Sequence, residues 1–155
     1  MRRAVATLVT SLGLIALWAP PAEAASTHAE YIAQADPICQ STEAAERRAL
    51  GPKGRVLRPM KKGRFKAAAH RYRKSEVAFS GGVDQLGALQ PPAADAQVIA
   101  TWLQMLRAQS PVAKQIAAAM AHGRSLDKLF RRLGSMNVQT RGLMANFGFQ
   151  YCQNL

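Results

Sequence analysis

Acidic side chains are scarce in this chain: nine Asp and Glu stand against 21 Lys and Arg over 155 residues, a formal charge of +12. Histidine occurs only at His28, His70 and His122, and cysteine only at Cys39 and Cys152. That poverty excludes much chemistry. No His-x-x-x-His, Glu-x-x-His or clustered cysteine offers a metal the ligand spacing it needs, and His70 lies among cations that would repel one. No histidine stands at a recognisable spacing from a Ser or Cys nucleophile. Gly51-Pro52-Lys53-Gly54-Arg55 has glycines and cations but neither the preceding strand nor the spacing of a phosphate loop. Alternating apolar and polar runs are also missing, and with them the signature of a half-buried strand.

Long apolar runs are absent except at the start. "MRRAVATLVTSLGLIALWAPPAEAAS" has two arginines, an apolar stretch from Ala4 to Ala19, and then Pro20, Pro21 and small residues. This is the layout of a secretory signal peptide over residues 1–24, with Ala22-Glu23-Ala24 as the cleavage signal. An uncleaved membrane anchor is the alternative, but the stretch falls short of the ~20 residues that span a bilayer. The remaining domain, residues 25–155, suffices for one compact unit with a single core. The sequence therefore places the protein in a secreted or extracytoplasmic setting, where two cysteines with one possible pairing read as a disulfide. In the chain-entropy account, closing so long a loop stabilises the fold by ~4 to 5 kcal/mol.

What is present is alanine, 29 of them, and helical spacing. Four helices are expected, over about 28–50, 60–89, 94–122 and 125–147. The first carries Tyr31, Ile32, Ala35, Cys39, Thr42 and Ala45 on one side, with Thr27 and Glu30 at capping-box spacing; Asp36-Pro37 is an alternative start. The second has Phe65, Ala68, Tyr72, Phe79, Val83 and Leu86. The third holds Val98, Ile99, Trp102, Leu106, Ala113, Ile116 and Met120 in phase across Pro111, so a kink is expected there. The fourth, with Ser125 as its cap, runs Leu126, Leu129, Leu133, Met136, Thr140, Met144, Phe147 and Tyr151. Short connections favour an all-α, antiparallel up-and-down four-helix bundle, in which Cys39 and Cys152 lie at one pole.

"YIAQADPICQ" near the start of the domain and "FGFQYC" at its end resemble a group of secreted actinobacterial proteins. Those have a Tyr-led helix ending Ala-Asp-x-Ile-Cys, Pro-Pro breaks between helices, and an aromatic-Gly-hydrophobic stretch before a final cysteine. The resemblance implies a helical, disulfide-closed exported domain and brings no activity with it. Pro37 and the strength of the basic segment depart from the group's pattern.

That segment, Arg47 to Lys74, holds twelve Lys or Arg in 28 residues and no Asp or Glu. Outside it, the domain has seven basic residues against eight acidic ones. Phe65 and Tyr72 fall on the apolar stripe, which removes the stacking platform expected of a single-stranded nucleic-acid binder. In the bundle, the loop after the first helix and the loop after the third meet at the pole opposite the cysteines. The candidate anion-binding set is therefore Lys53, Arg55, Arg58, Lys61, Lys62, Arg64, Lys66, Arg71, Arg73 and Lys74, joined by Arg124, Lys128, Arg131 and Arg132.

These residues point to an exported, non-enzymatic binding module whose basic pole docks on a polyanion or anionic cell-envelope surface: wall polymer, lipid headgroup or nucleic acid. The alternative is a structural or protein-partner bundle in which the charge is an incidental solvated run. A hydrolase is the remote third reading. Ser125-Leu126-Asp127-Lys128 matches S-x-x-K literally but without its partner motifs, and Glu43, Glu46 and Glu76 read as surface ion-pair partners. No cofactor and no metal is expected.

Overall fold

The structure is a computed structural model that describes residues 26–52 and 58–155. The proposed signal peptide, and with it Lys53 and Arg55, lies outside the described residues. All regular structure among them is helical: α1 (His28–Leu50), α2 (Arg58–Lys61), α3 (Phe65–Gly87), α4 (Ala96–Ala121), α5 (Asp127–Met144) and a final 3-10 turn (Cys152–Asn154). No helix among the described residues is long and apolar enough to cross a membrane.

Helix α1 starts at the capping box. Thr27 Oγ1 accepts the Glu30 backbone N–H at 3.2 Å, and Glu30 Oε2 accepts the Thr27 N–H at 2.8 Å. Both orphan donors are satisfied, so the helix begins here and not at Asp36-Pro37. Pro37 lies inside the helix, where its missing N–H leaves the Ala33 carbonyl without its usual donor. Pro111 is likewise carried inside α4. The stretch expected as one helix from about residue 60 is two. Lys62 and Gly63 close α2 with N–H bonds to Pro59 and Met60 O, and Gly63 at φ +70° turns the chain into α3. Ser125 does not cap α5. Leu126 is the N-cap residue, and Ser125 Oγ reaches Asp127 Oδ2 at 3.3 Å instead. Helix α5 ends at Met144, which leaves Phe147 and Tyr151 in the tail.

Helices α1 and α4 both pack on α3, and α5 packs on α4. On their open sides α1 and α5 each rest against the 3-10 turn of the tail. The core has two parts. One gathers Tyr31, Ala35, Phe79, Leu86, Ile99, Trp102, Leu106 and Met144 with the tail residues Phe149 and Cys152. The other joins Ala68, Ala69, Val112, Ile116, Met120 and Leu126, with Met60 and Leu133 packed against it. Trp102 stacks on Phe149 at 5.5 Å between ring centroids, which seats the tail on α4. Cys39 and Cys152 lie at disulfide-bonding distance, 5.0 Å between Cα atoms, and tie α1 to the tail.

Where α1 approaches α3 most closely, Gly82 faces Thr42. A Cβ on Gly82 would stand 2.0 Å from Thr42 Oγ1, so the approach requires glycine. Asp36 and Asp95 both engage the tail end of the molecule. His28 Nδ1 bonds Asp95 Oδ2 at 2.6 Å and its Nε2 bonds the Phe147 carbonyl at 2.9 Å. The Asp95 hydrogen bond, with that carbonyl, raises the His28 pKa above its ordinary value.

Candidate functional site

Two regions between helices hold polar groups in unusual density. The first is the basic surface that the sequence singles out. Arg58, Lys61, Lys62, Arg64, Lys66, Arg71, Arg73 and Lys74 are all exposed, as are Arg124, Lys128, Arg131 and Arg132. Among the described residues, none of these twelve stands within ion-pair distance of a carboxylate. Their exposure follows from the apolar stripes: Ala68, Ala69 and Met120 take the inward positions, which leaves the long cationic side chains on the outer arcs.

Two contacts show how the separate stretches meet. The turn at Gly123 abuts the Phe65 ring, which a Cβ there would meet at 3.0 Å, so Arg124 lies at the same end as Arg64 and Lys66. Tyr72 and Phe130 approach at 6.3 Å between centroids, which brings the first turns of α5 beside α3. Arg71 and Lys74 face the other way. With Arg47, Arg48 and His70 they line a shallow groove of about 890 Å³ between the end of α1 and α3. Its remaining walls are Ala49, Gly51, Pro52, Val77 and Ala78, and no acidic residue contributes to them. Arg47 is held at its edge by Glu43, one helical turn back. The groove thus divides the described cations of that set: two line it, and the others are spread over α2, α3, α5 and the turns that lead into α3 and α5.

The second region is a polar layer between the two apolar cores, and the sequence reading passed over it. Thr42, Ser75, Glu76, Gln109 and Thr140 are all buried. Ser75 Oγ donates to Glu46 Oε1 at 3.3 Å, and the Ser110 hydroxyl donates to Glu76 Oε1. Lys114 Nζ lies 3.7 Å from that same oxygen, and Gln109 Nε2 donates to Thr140 Oγ1 at 3.2 Å. Glu46 is therefore not a surface ion-pair partner, and Glu76 is a buried partner of the exposed Lys114. Of the three acidic residues read that way, only Glu43 makes an exposed helical pair, with Arg47.

Within the layer is a cavity of about 130 Å³, reached by Glu46, Tyr72, Glu76, Gln109, Leu133 and Asn137. Loss of hydration pushes the Glu46 carboxyl up to about 7, opposed by the Ser75 hydroxyl and reinforced by Glu43. Burial, with the Glu46 charge added to it, pushes the Tyr72 phenol up to about 12. Asn137 Oδ1 is shut off from solvent and has no hydrogen-bond partner.

Neither His70 nor Ser125 is among the residues that reach this cavity. Among the described residues no three His, Cys, Asp or Glu side chains gather as a metal would require. The arrangement can bind and exchange protons.

No protein-family model matches the chain, and comparison with curated proteins and with solved structures finds no match either.

Proposed function

We propose that this chain is an exported, non-enzymatic binding module that docks by charge on an anionic polymer or surface of the cell envelope. The observation that carries this reading is the groove between α1 and α3, lined by Arg47, Arg48, His70, Arg71 and Lys74 and by no acid. Arg48, Arg71 and Lys74 form no ion pair among the described residues, and cations on a concave surface attract phosphate, sulfate or carboxylate groups by Coulomb steering and counterion release. The exposed cations of α2 and α5 extend the same field, while Glu30, Asp36 and Asp95 are engaged in caps and bonds toward the tail.

In this reading the four long helices form an antiparallel up-and-down bundle. The pairs Thr42 with Gly82 and Glu46 with Ser75 support that order for α1 and α3. Phe65 with Gly123 and Glu76 with Ser110 support it for α3 and α4, and Gln109 with Thr140 for α4 and α5. Export rests on the signal-peptide layout of residues 1–24, and the paired cysteines suit an oxidising compartment.

Chromatography on immobilised heparin, against a neutral agarose of the same bead, tests the reading. Retention is expected to fall steeply with salt. The triple substitution Arg48→Gln, Arg71→Gln, Lys74→Gln should reduce the slope of log affinity against log salt by roughly two to three. An unchanged slope in this variant, and in one carrying Lys61→Gln, Lys62→Gln, Arg64→Gln and Lys66→Gln, would leave the charge incidental and the structural or protein-partner role in its place.

A further inference from the structure

The polar cavity between the two cores stands apart from the basic groove. Two carboxyl groups, Glu46 from α1 and Glu76 from α3, reach a space of about 130 Å³. Glu76 is 7% exposed and Glu46 is half-buried, yet among the described residues a single cation pairs with either of them. It is Lys114, whose ammonium stands 3.7 Å from Glu76 on a side chain 68% exposed to solvent. Buried acidic groups require a positive partner or a proton, and a loosely held, largely hydrated lysine supplies little of the first.

The rest of the lining narrows what the missing partner would be. The Asn137 side chain also lines the space, and its amide oxygen is buried beside it without a donor. Phe79, Ala113 and Leu133 give it an apolar wall, and the half-buried Tyr72 adds an aromatic ring of the kind that attracts cations. A bare Ca2+ or Mg2+ ion fits this poorly, because it would take six or more oxygens and leave the apolar wall unused. A cavity on the order of 150 Å³ accepts a molecule as large as benzene.

We propose that this cavity binds a small organic ammonium ion, its nitrogen donating to the Glu46 carboxylate and its alkyl body lying against Leu133 and Phe79. The site is separate from the basic groove: it lies between the cores, is lined by carboxyl groups, and shares no lining residue with the groove.

The test is a titration of the full disulfide-closed chain, followed by NMR, with n-butylammonium chloride as the probe and n-butanol and sodium butyrate as matched arms. Saturable shifts at the Asn137 side-chain amide and at Ser75 are expected with butylammonium alone. Glu46→Gln, nearly the same shape, should weaken its binding about tenfold, equivalent to about 1.4 kcal/mol. Leu133→Trp, which fills the space, should abolish it while leaving heparin retention unchanged. Equal binding of butanol and butylammonium overturns the proposal. So does the absence of saturable shifts in the unsubstituted chain, or affinity that survives both substitutions.

Discussion

Asp36 Oδ1 accepts the Cys152 backbone N–H at 3.1 Å, and Asp36 lies three residues before Cys39, the cysteine that faces Cys152 at disulfide distance. The same carboxylate also takes the N–H groups of Gln150 and Tyr151, at 2.9 Å each. One acidic side chain on α1 thus anchors three consecutive amides of a tail that has almost no helical hydrogen bonding of its own. The tail in turn seats Phe149 against Trp102 and places Cys152 for its partner.

Asp36→Ala should therefore destabilise the protein beyond the loss of one surface charge. Three charge-assisted bonds on a partly covered carboxylate argue for a loss of about 2 kcal/mol in denaturant unfolding, and Asp36→Asn should retain part of it. Under reducing conditions the penalty should grow, because the carboxylate then holds the tail alone. Equal stability of Asp36→Ala and the unsubstituted protein in both redox states would show that the disulfide suffices.

The close approach of α1 and α3 yields a second prediction. An Ala at Gly82 would ordinarily gain about 1 kcal/mol in a helix interior, but here its Cβ meets Thr42 Oγ1. Gly82→Ala should instead cost about 1–3 kcal/mol as an overpacked contact. Combining it with Thr42→Ala should restore most of the loss, since the two side chains are in direct contact and couple strongly. A thermal unfolding cycle over the four proteins measures this, and additive effects would place the cost elsewhere than in the contact.

The helical class and the pairing of two distant cysteines were legible in the sequence because both rest on strong, simple signals: spacing of 3.6 residues and a single possible pair. The short helix α2 was not, because Gly63 interrupts a segment whose composition is uniform on both sides. The polar layer leaves only a faint trace in the sequence. The apolar stripe of α3 jumps from Tyr72 to Phe79, and that of α4 from Leu106 to Ala113. Ser75 and Glu76 fill the first gap, Gln109 and Ser110 the second, and Thr140 sits at the matching level of α5. Each gap alone is an ordinary interruption. Only the packing of α3 on α4 and of α4 on α5 reveals that they coincide and enclose a space.

The Glu46 carboxyl makes that layer sensitive to pH, and the sign follows from its environment. Burial raises its folded pKa to about 7, against an ordinary value of 4.5. The groups nearest it are Glu43 on its own helix, Tyr72 and Glu76 from α3, and Lys114 of α4 beyond Glu76; Leu133 and Asn137 of α5 carry no charge. A raised carboxyl pKa means that the folded state binds the proton more tightly than the unfolded chain does. Its stabilising contribution is complete below about 4.5 and is lost as the pH rises through about 7. Glu46→Gln, which stays neutral, should thus change stability little at about pH 4 and raise it by about 1–3 kcal/mol at about pH 8. Urea unfolding of both proteins across this range measures the difference. A gap that does not vary with pH would mean that water or Lys114 already compensates the Glu46 charge in the folded protein.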